Sequence, residues 1–310
     1  MLTRETFTGP WAGLPVAWTD EDRFDEATYR ADIRRCCEAG VPGVYSGGTT
    51  GEFYAMEFDE FQTVALATAE ECRNANKPAM IGCSSTYTLG VIRRARFAAE
   101  IGADAIQVAL PFWMEIGETE IVPFFKEVSD ACGGMPLSIY ETTRAKRTLT
   151  LDQHREIHDV VPSYLMVKSN AGTVGVTEEG CQSLSEIVNV FVGESLWESL
   201  GPKGARGCCS SMVYWNPKLV LNLWDAVERE NWQSVQKWNE KIAPLFDFLH
   251  QEFGAKGFTD SAFDRLGGVA GGFLKTSLRS RGPYPCAAEE DVETLRRWYE
   301  DNFAEMLQLE

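Results

Sequence analysis

The chain has 310 residues, a formal net charge of −17, and 44% apolar and 24% charged residues. This is the make-up of a globular protein, and its acidity argues against a nucleic-acid partner, which needs a basic surface to displace counterions from phosphates. The nine cysteines are an odd number with no CxxC pair, and Cys36–Cys37 and Cys208–Cys209 are adjacent, so reduced thiols and a cytoplasmic location are expected.

In chain order, the opening MLTRETFTGPWAG lacks the basic-then-apolar order of a secretory signal. No apolar stretch approaches the roughly 20 residues that span a bilayer, so no membrane partner is expected. A strand-then-helix alternation follows. Apolar runs suited to buried parallel strands are GLPVAW, GVYSG, AMIGCS, AIQVAL, LSIYE, YLMVKS, VFVGE and GCCSS. Helical stretches such as ATYRADIRRCCEAG and VIRRARFAAEIG lie between them, each ending on a glycine able to take the left-handed position after a helix. Serial strands without GxGxxG predict an α/β fold of the closed (β/α)8 TIM-barrel type rather than an open dinucleotide-binding sheet. KLVLNLWDAVERE, WQSVQKWNEKIAPLFDFLHQ, a glycine-rich segment leading to FLKTSLRSRG, and EEDVETLRRWYEDNFAEMLQL read as further helices. The expected division is a barrel with the active site over residues 1–225 and a C-terminal helical bundle over 226–310, packed on it.

Chemistry in such a barrel sits at the C-terminal ends of the strands. After the second strand, YSGGTTGEF places adjacent glycines beside Thr49 and Thr50. Exposed backbone N–H groups and hydroxyls there suit a carboxylate, and either threonine could pass a proton. Glu52 reads as structural, paired with loop N–H groups. Tyr140 ends the fifth strand and Lys168 the sixth, one β/α unit later, which makes them neighbours on one rim.

Lys168 follows the apolar YLMV and precedes the small, uncharged SNAG. A partly desolvated amine has a lowered pKa. At about 10.4 only ~0.04% is neutral at pH 7; a value near 7–8 raises that by two to three orders of magnitude, for roughly 4 kcal/mol of ammonium stability. Such an amine forms a carbinolamine and then a Schiff base with a carbonyl. A neighbouring phenol, Tyr140, can move the protons.

Other residues suggest no chemistry. His154 and His158 in HREIH read as a solvated helix face, without the HExxH order of a metal site, and three histidines leave a metal-dependent hydrolase short of ligands. LGGVAGGF lacks the GK[ST] of a phosphate loop and reads as close helix packing. Trp197 and Glu198 are candidates for lining a substrate tail.

Together these residues resemble the dihydrodipicolinate synthase / N-acetylneuraminate lyase family of class I aldolases, and the resemblance spans the chain. Its carboxylate loop GTTGE matches Gly48-Thr49-Thr50-Gly51-Glu52, its strand-five tyrosine matches Tyr140, and its Schiff-base lysine, in K-[ED]-x-x-G, matches Lys168 in KSNAG. Gly193-Glu194 match the glycine and acidic residue after strand seven. GARGCCSSMVYWNP resembles G-x-x-G-x-I-S-x-x-x-N-x-x-P and puts Cys209 where a backbone carbonyl faces the pyruvyl group. The resemblance implies a (β/α)8 barrel with a C-terminal helical bundle, a homotetramer built from dimers, and catalysis through the lysine adduct with no metal or organic cofactor.

Two segments depart from the family. Asn-x-Pro usually follows the tyrosine, but here the segment is the longer YETTRAKRT. Arg147 is the nearest match to the arginine that holds the second substrate's carboxylate in the synthases, with Arg144 left open. LPFWME puts Trp113 where the synthases carry a relay tyrosine near a subunit interface, and an indole cannot relay a hydroxyl proton. The expected function is a Schiff-base lyase acting on pyruvate or a pyruvate-derived 2-oxo acid, breaking or forming a carbon–carbon bond. The catalytic residues would be Lys168, Tyr140 and Thr49, with Gly48, Thr50, Gly193, Cys209 and Arg147 binding substrate. Dehydration or deamination of a hydroxylated 2-oxo (sugar) acid, dihydrodipicolinate synthesis itself, and a non-catalytic keto-acid-binding barrel are the alternatives.

Overall fold

The computed structural model describes residues 2–309. Among them the strands are β1 (Gly9–Gly13), β2 (Val44–Ser46), β3 (Ala79–Gly82), β4 (Ala105–Val108), β5 (Leu137–Glu141), β6 (Tyr164–Ser169), β7 (Asn189–Phe191) and β8 (Ala205–Ser210). They follow one another in sequence order and close into a parallel barrel. Between them lie α1 (Glu26–Glu38), α2 (Phe58–Asn74), α3 (Thr88–Glu100), α4 (Ile121–Ala131), α5 (Leu151–Val160), α6 (Glu178–Ser185) and the short α7 (Trp197–Leu200). The C-terminal helices are α8 (Pro217–Glu228), α9 (Trp232–Phe253), α10 (Asp260–Ala270) and α11 (Glu289–Asn302).

The chain divides into two compact units. The first comprises the residues up to Gly9 and Pro78–Cys209. Its strands are buried on both faces, as parallel strands covered by helices require: Ile106, Val108, Leu137, Ile139, Val167 and Val190 on one face and Gln107, Ser138 and Met166 on the other are inaccessible or nearly so. Alternation along β5 puts Ser138 and Tyr140 on one face and Ile139 and Glu141 on the other. Helix α5 starts at a capping box in which Thr150 Oγ1 accepts from Gln153 N (3.2 Å) and Gln153 Oε1 from Thr150 N (2.9 Å).

The second unit comprises Pro10–Lys77 and the residues from Ser210 onward. Asn216 caps α8 by accepting from Leu219 N (3.2 Å), and Pro217 supplies a preset first-turn φ. The other end of the Asn216 amide donates to the carbonyls of Glu305, Met306 and Gln308, which anchors the last turn of chain. In α10 the glycines of LGGVAGGF do allow close packing. A Cβ on Gly267 would stand 2.1 Å from the Trp215 ring and one on Gly271 2.5 Å from the Trp215 carbonyl oxygen.

Two expectations change. The first strand is GPWAG, Gly9–Gly13, rather than GLPVAW. Both runs are buried, so apolarity cannot choose between them. Leu14 N still donates to Tyr45 O (3.2 Å), and then Pro15 has no N–H with which to extend the ladder. FLKTSLRSRG is irregular chain, not helix. Its backbone N–H groups are instead held by carboxylates: Lys275 N and Thr276 N donate to Asp32, and Arg281 N to Glu52.

Candidate active site

Lys168 lies near the end of β6, half-buried, and pairs in register with Tyr140 of β5 on one side and Phe191 of β7 on the other. Its Nζ stands 4.2 Å from the centroid of the Tyr140 ring, and Tyr140 is 5% exposed. The amine thus lies over an aromatic face at the paired ends of two strands. The strands that carry this pair are rigid, paired through Leu137 to Glu141 against Tyr164 to Ser169.

Cys209 of β8 belongs to the same surroundings. Burial pushes its thiol pKa up, while the charge of Lys168 and a hydrogen bond from Gln107 pull it down and Glu194 pushes it up again. Lys168 and Glu194 are therefore both close enough to Cys209 to act on it. Gly193 is exposed, and a Cβ there would meet only Ser195 Oγ, at 4.0 Å. Beneath the amine the inner face is polar and soft. Gln107 Nε2 donates to Ser138 Oγ (2.9 Å) and reaches Cys209 Sγ (3.8 Å), and Ser138 Oγ donates to Met166 Sδ (3.2 Å). Gln107 is legible in the sequence only as a long polar side chain in the middle of the apolar AIQVAL.

The loop after β5 carries the cations. Arg144 is exposed on the 3-10 turn Thr143–Ala145. Lys146, in a left-handed conformation, donates to the Trp113 carbonyl and stands 5.8 Å over its ring. Arg147 Nε approaches Glu115 Oε1 at 3.4 Å. Two of the three cations thus brace the loop after β4, in which Trp113 is 73% exposed.

The GTTGE loop belongs to the second unit and follows β2. A Cβ on Gly48 would stand 2.4 Å from the Tyr45 hydroxyl, so any side chain there would have to displace the Tyr45 ring. Thr49 and Thr50 are half-buried, and Thr50 Oγ1 donates to Asp264 of α10. Glu52 is fully buried with φ +52°. It is structural, but its partners are not the N–H groups of its own loop. Oε2 accepts from Trp18 Nε1 (2.7 Å) and from the fully buried Arg265 (2.6 Å), and Oε1 from Arg281 N (2.8 Å).

A second correction concerns His154. It is not on a solvated face but 0% exposed, with Nδ1 2.8 Å from the Tyr164 hydroxyl and Nε2 3.3 Å from Glu141 Oε2. His158 is partly exposed.

A family model described as the dihydrodipicolinate synthetase family matches residues 6–280. The chain belongs to the dihydrodipicolinate synthetase family. Members of that family are lyases, and the likeness extends over nearly the whole chain. It is 26% identical over 250 residues to a 4-hydroxy-tetrahydrodipicolinate synthase of an Exiguobacterium species, covering 79% of this chain and 84% of that protein. Among solved structures it resembles a Ruminococcus gnavus sialic acid aldolase catalytic lysine mutant (TM-score 0.85, 18% identity, 99% and 100% of the two chains). It also resembles YagE, a prophage protein of this family from E. coli K12 in complex with pyruvate (TM-score 0.84, 18% identity, 98% and 99%). Among the described residues no helix is long and apolar enough to cross a membrane.

Proposed function

We propose that the protein is a Schiff-base-forming lyase acting on pyruvate or a pyruvate-derived 2-oxo acid. The observation that carries this reading is the contact of the Lys168 amine with the Tyr140 ring at the paired ends of β5 and β6. Two structural neighbours support it by their own chemistry: the sialic acid aldolase is described by its catalytic lysine and the prophage protein by its bound pyruvate.

In this reading the neutral Lys168 amine attacks the C2 carbonyl and water leaves to give an iminium. As the C4 hydroxyl loses its proton and C4 departs as a carbonyl compound, the iminium accepts the electron pair of the C3–C4 bond, forming an enamine that is reprotonated at C3 and hydrolysed. Tyr140 carries the protons, with Thr49 as its partner. On the family's motif, Gly48 and Thr50 take the substrate carboxylate, Gly193 and Cys209 border the pyruvyl group, and Arg147 or Arg144 meets the distal end. The adduct does the work of an electron sink, so neither metal nor organic cofactor is assigned. A cytoplasmic homotetramer is the matching assembly.

One observation favours a second branch on the same iminium, loss of water or ammonia from a hydroxylated or aminated 2-oxo acid. Trp113, at the position of the synthases' relay tyrosine, has no hydroxyl and is 73% exposed. Incubation with pyruvate and borohydride, followed by intact mass, tests the shared step. The expected result is one reduced pyruvyl group per chain in the parent and none in Lys168→Ala. A parent left unmodified at saturating pyruvate would instead indicate a keto-acid-binding barrel. A screen of 2-oxo acids for pyruvate, ammonia and dehydration products then separates the branches.

A further inference from the structure

The outer face of β5 carries a polar cluster that the proposed chemistry leaves unused. Glu141 follows Tyr140 directly, and strand alternation sends its side chain away from the Tyr140 face, toward α5. There Glu141 (4% exposed), His154 (0%) and Tyr164 (0%) form a chain: Glu141 Oε2 to His154 Nε2 at 3.3 Å, and His154 Nδ1 to Tyr164 OH at 2.8 Å. The 3.3 Å approach is an ion-pair distance and not a formed hydrogen bond: neither Glu141 Oε2 nor His154 Nε2 has a hydrogen-bond partner. The imidazole and phenol planes are 19° apart, with ring centroids separated by 6.1 Å.

Apolar side chains of similar volume would ordinarily fill such a place at least as stably, because burying a carboxylate is costly unless it is fully paired. What the cluster provides is geometry. Glu141 Oε1 accepts from Leu149 N (2.8 Å), which closes the loop of residues 142–150. The backbone carbonyl of Glu141 accepts from Asn170 Nδ2 (2.9 Å), just past the end of β6. One residue therefore joins the loop that follows Tyr140 to the loop that follows Lys168.

We infer that Glu141 and His154 are positioning residues: a buried carboxylate–imidazole clamp that holds the Tyr140 and Lys168 strand ends in register and fixes the cation-bearing loop 142–150. Tyr164 sets its polarity. In the proposed clamp the Tyr164 phenol, whose pKa burial and the nearby Glu141 charge hold well above its ordinary value, is the donor to His154 Nδ1 at 2.8 Å. The Nε2 proton then faces Glu141 Oε2, in the tautomer the clamp needs.

The inference rests on the lysine reading for its effect on chemistry, and the test keeps the two apart. His154→Phe loses both polar contacts. His154→Gln can accept from Tyr164 and donate to Glu141, and Glu141→Gln keeps the acceptor for Leu149 N in a milder change. Two quantities are measured well below the melting temperature: hydrogen exchange of residues 142–150, and the initial rate of pyruvate trapping by borohydride. His154→Phe and Glu141→Gln are expected to raise exchange in that loop at least tenfold and slow trapping at least tenfold, with the same final adduct on Lys168. His154→Gln should restore both toward the parent. Parent-like exchange and trapping in His154→Phe and Glu141→Gln would overturn the clamp, as would a loss of both that His154→Gln fails to recover. A parent that is never trapped would defeat the lysine reading alone, and loop exchange would still decide on the clamp.

Discussion

Two buried carboxylates invite comparison, because each lies next in sequence to, or two residues beyond, a residue assigned to substrate. Glu52 closes the GTTGE loop and Glu141 follows Tyr140. Glu52 is saturated: a fully buried guanidinium, an indole N–H and a backbone N–H meet its two oxygens. Glu141 has one backbone N–H on one oxygen and an imidazole 3.3 Å from the other. The first is a neutralised ion pair whose halves cannot be separated without stranding a charge. The second involves an imidazole that can be neutral, so it can be altered without leaving a bare cation. The GTTGE loop, proposed to take the substrate carboxylate, is thus tied by a fully paired buried charge, and the strand bearing Tyr140 by fewer contacts.

The comparison is most exposed at Glu52. Glu52→Ala leaves Arg265 charged and buried, and should lower unfolding stability by about 3–5 kcal/mol in denaturant titrations. Glu141→Ala strands only Leu149 N–H and an imidazole, and should cost about 1–3 kcal/mol. Equal losses, or the reverse order, would erase the distinction drawn between the two sites. The smallest effect belongs to the rim of the Glu52 region. Arg281 meets both oxygens of Glu60, at 2.5 and 2.6 Å, and holds the Glu60 pKa below its ordinary value of 4.5, with burial opposing and Glu57 N–H assisting. A depressed folded pKa means that the stabilisation is complete above the unfolded value and fades as pH falls through the folded one. The stability gap between the parent and Glu60→Gln should therefore be constant near neutrality and close below about pH 4.5. A gap that persisted unchanged into acid would mean the ion pair is not its source.

Much of this was legible in the chain because it is local. AIQVAL, LSIYE and YLMVKS are continuous apolar runs bounded by loops, and they became β4, β5 and β6 with Tyr140 and Lys168 at the ends expected of them. The GTTGE loop was legible for the same reason. What escaped depends on partners remote in sequence. His154 looked solvated because its spacing with His158 fits an outward helix face, whereas its burial is decided by Glu141 and Tyr164 on two strands. FLKTSLRSRG reads as helix by itself, yet Asp32 and Glu52 hold it as irregular chain. Pro15 is a local cue: without an N–H it cannot extend the ladder past Leu14, and the first strand ends at Gly13.

The central claim is that one particular amine becomes bonded to the ketone. The most direct measurement is peptide mapping of the protein after borohydride reduction with saturating pyruvate. The account predicts a single modified peptide, with the reduced pyruvyl group on Lys168 and its formation slowed in Tyr140→Phe. Label on Lys146 or another exposed lysine with Lys168 untouched, or spread evenly over many lysines, would contradict it.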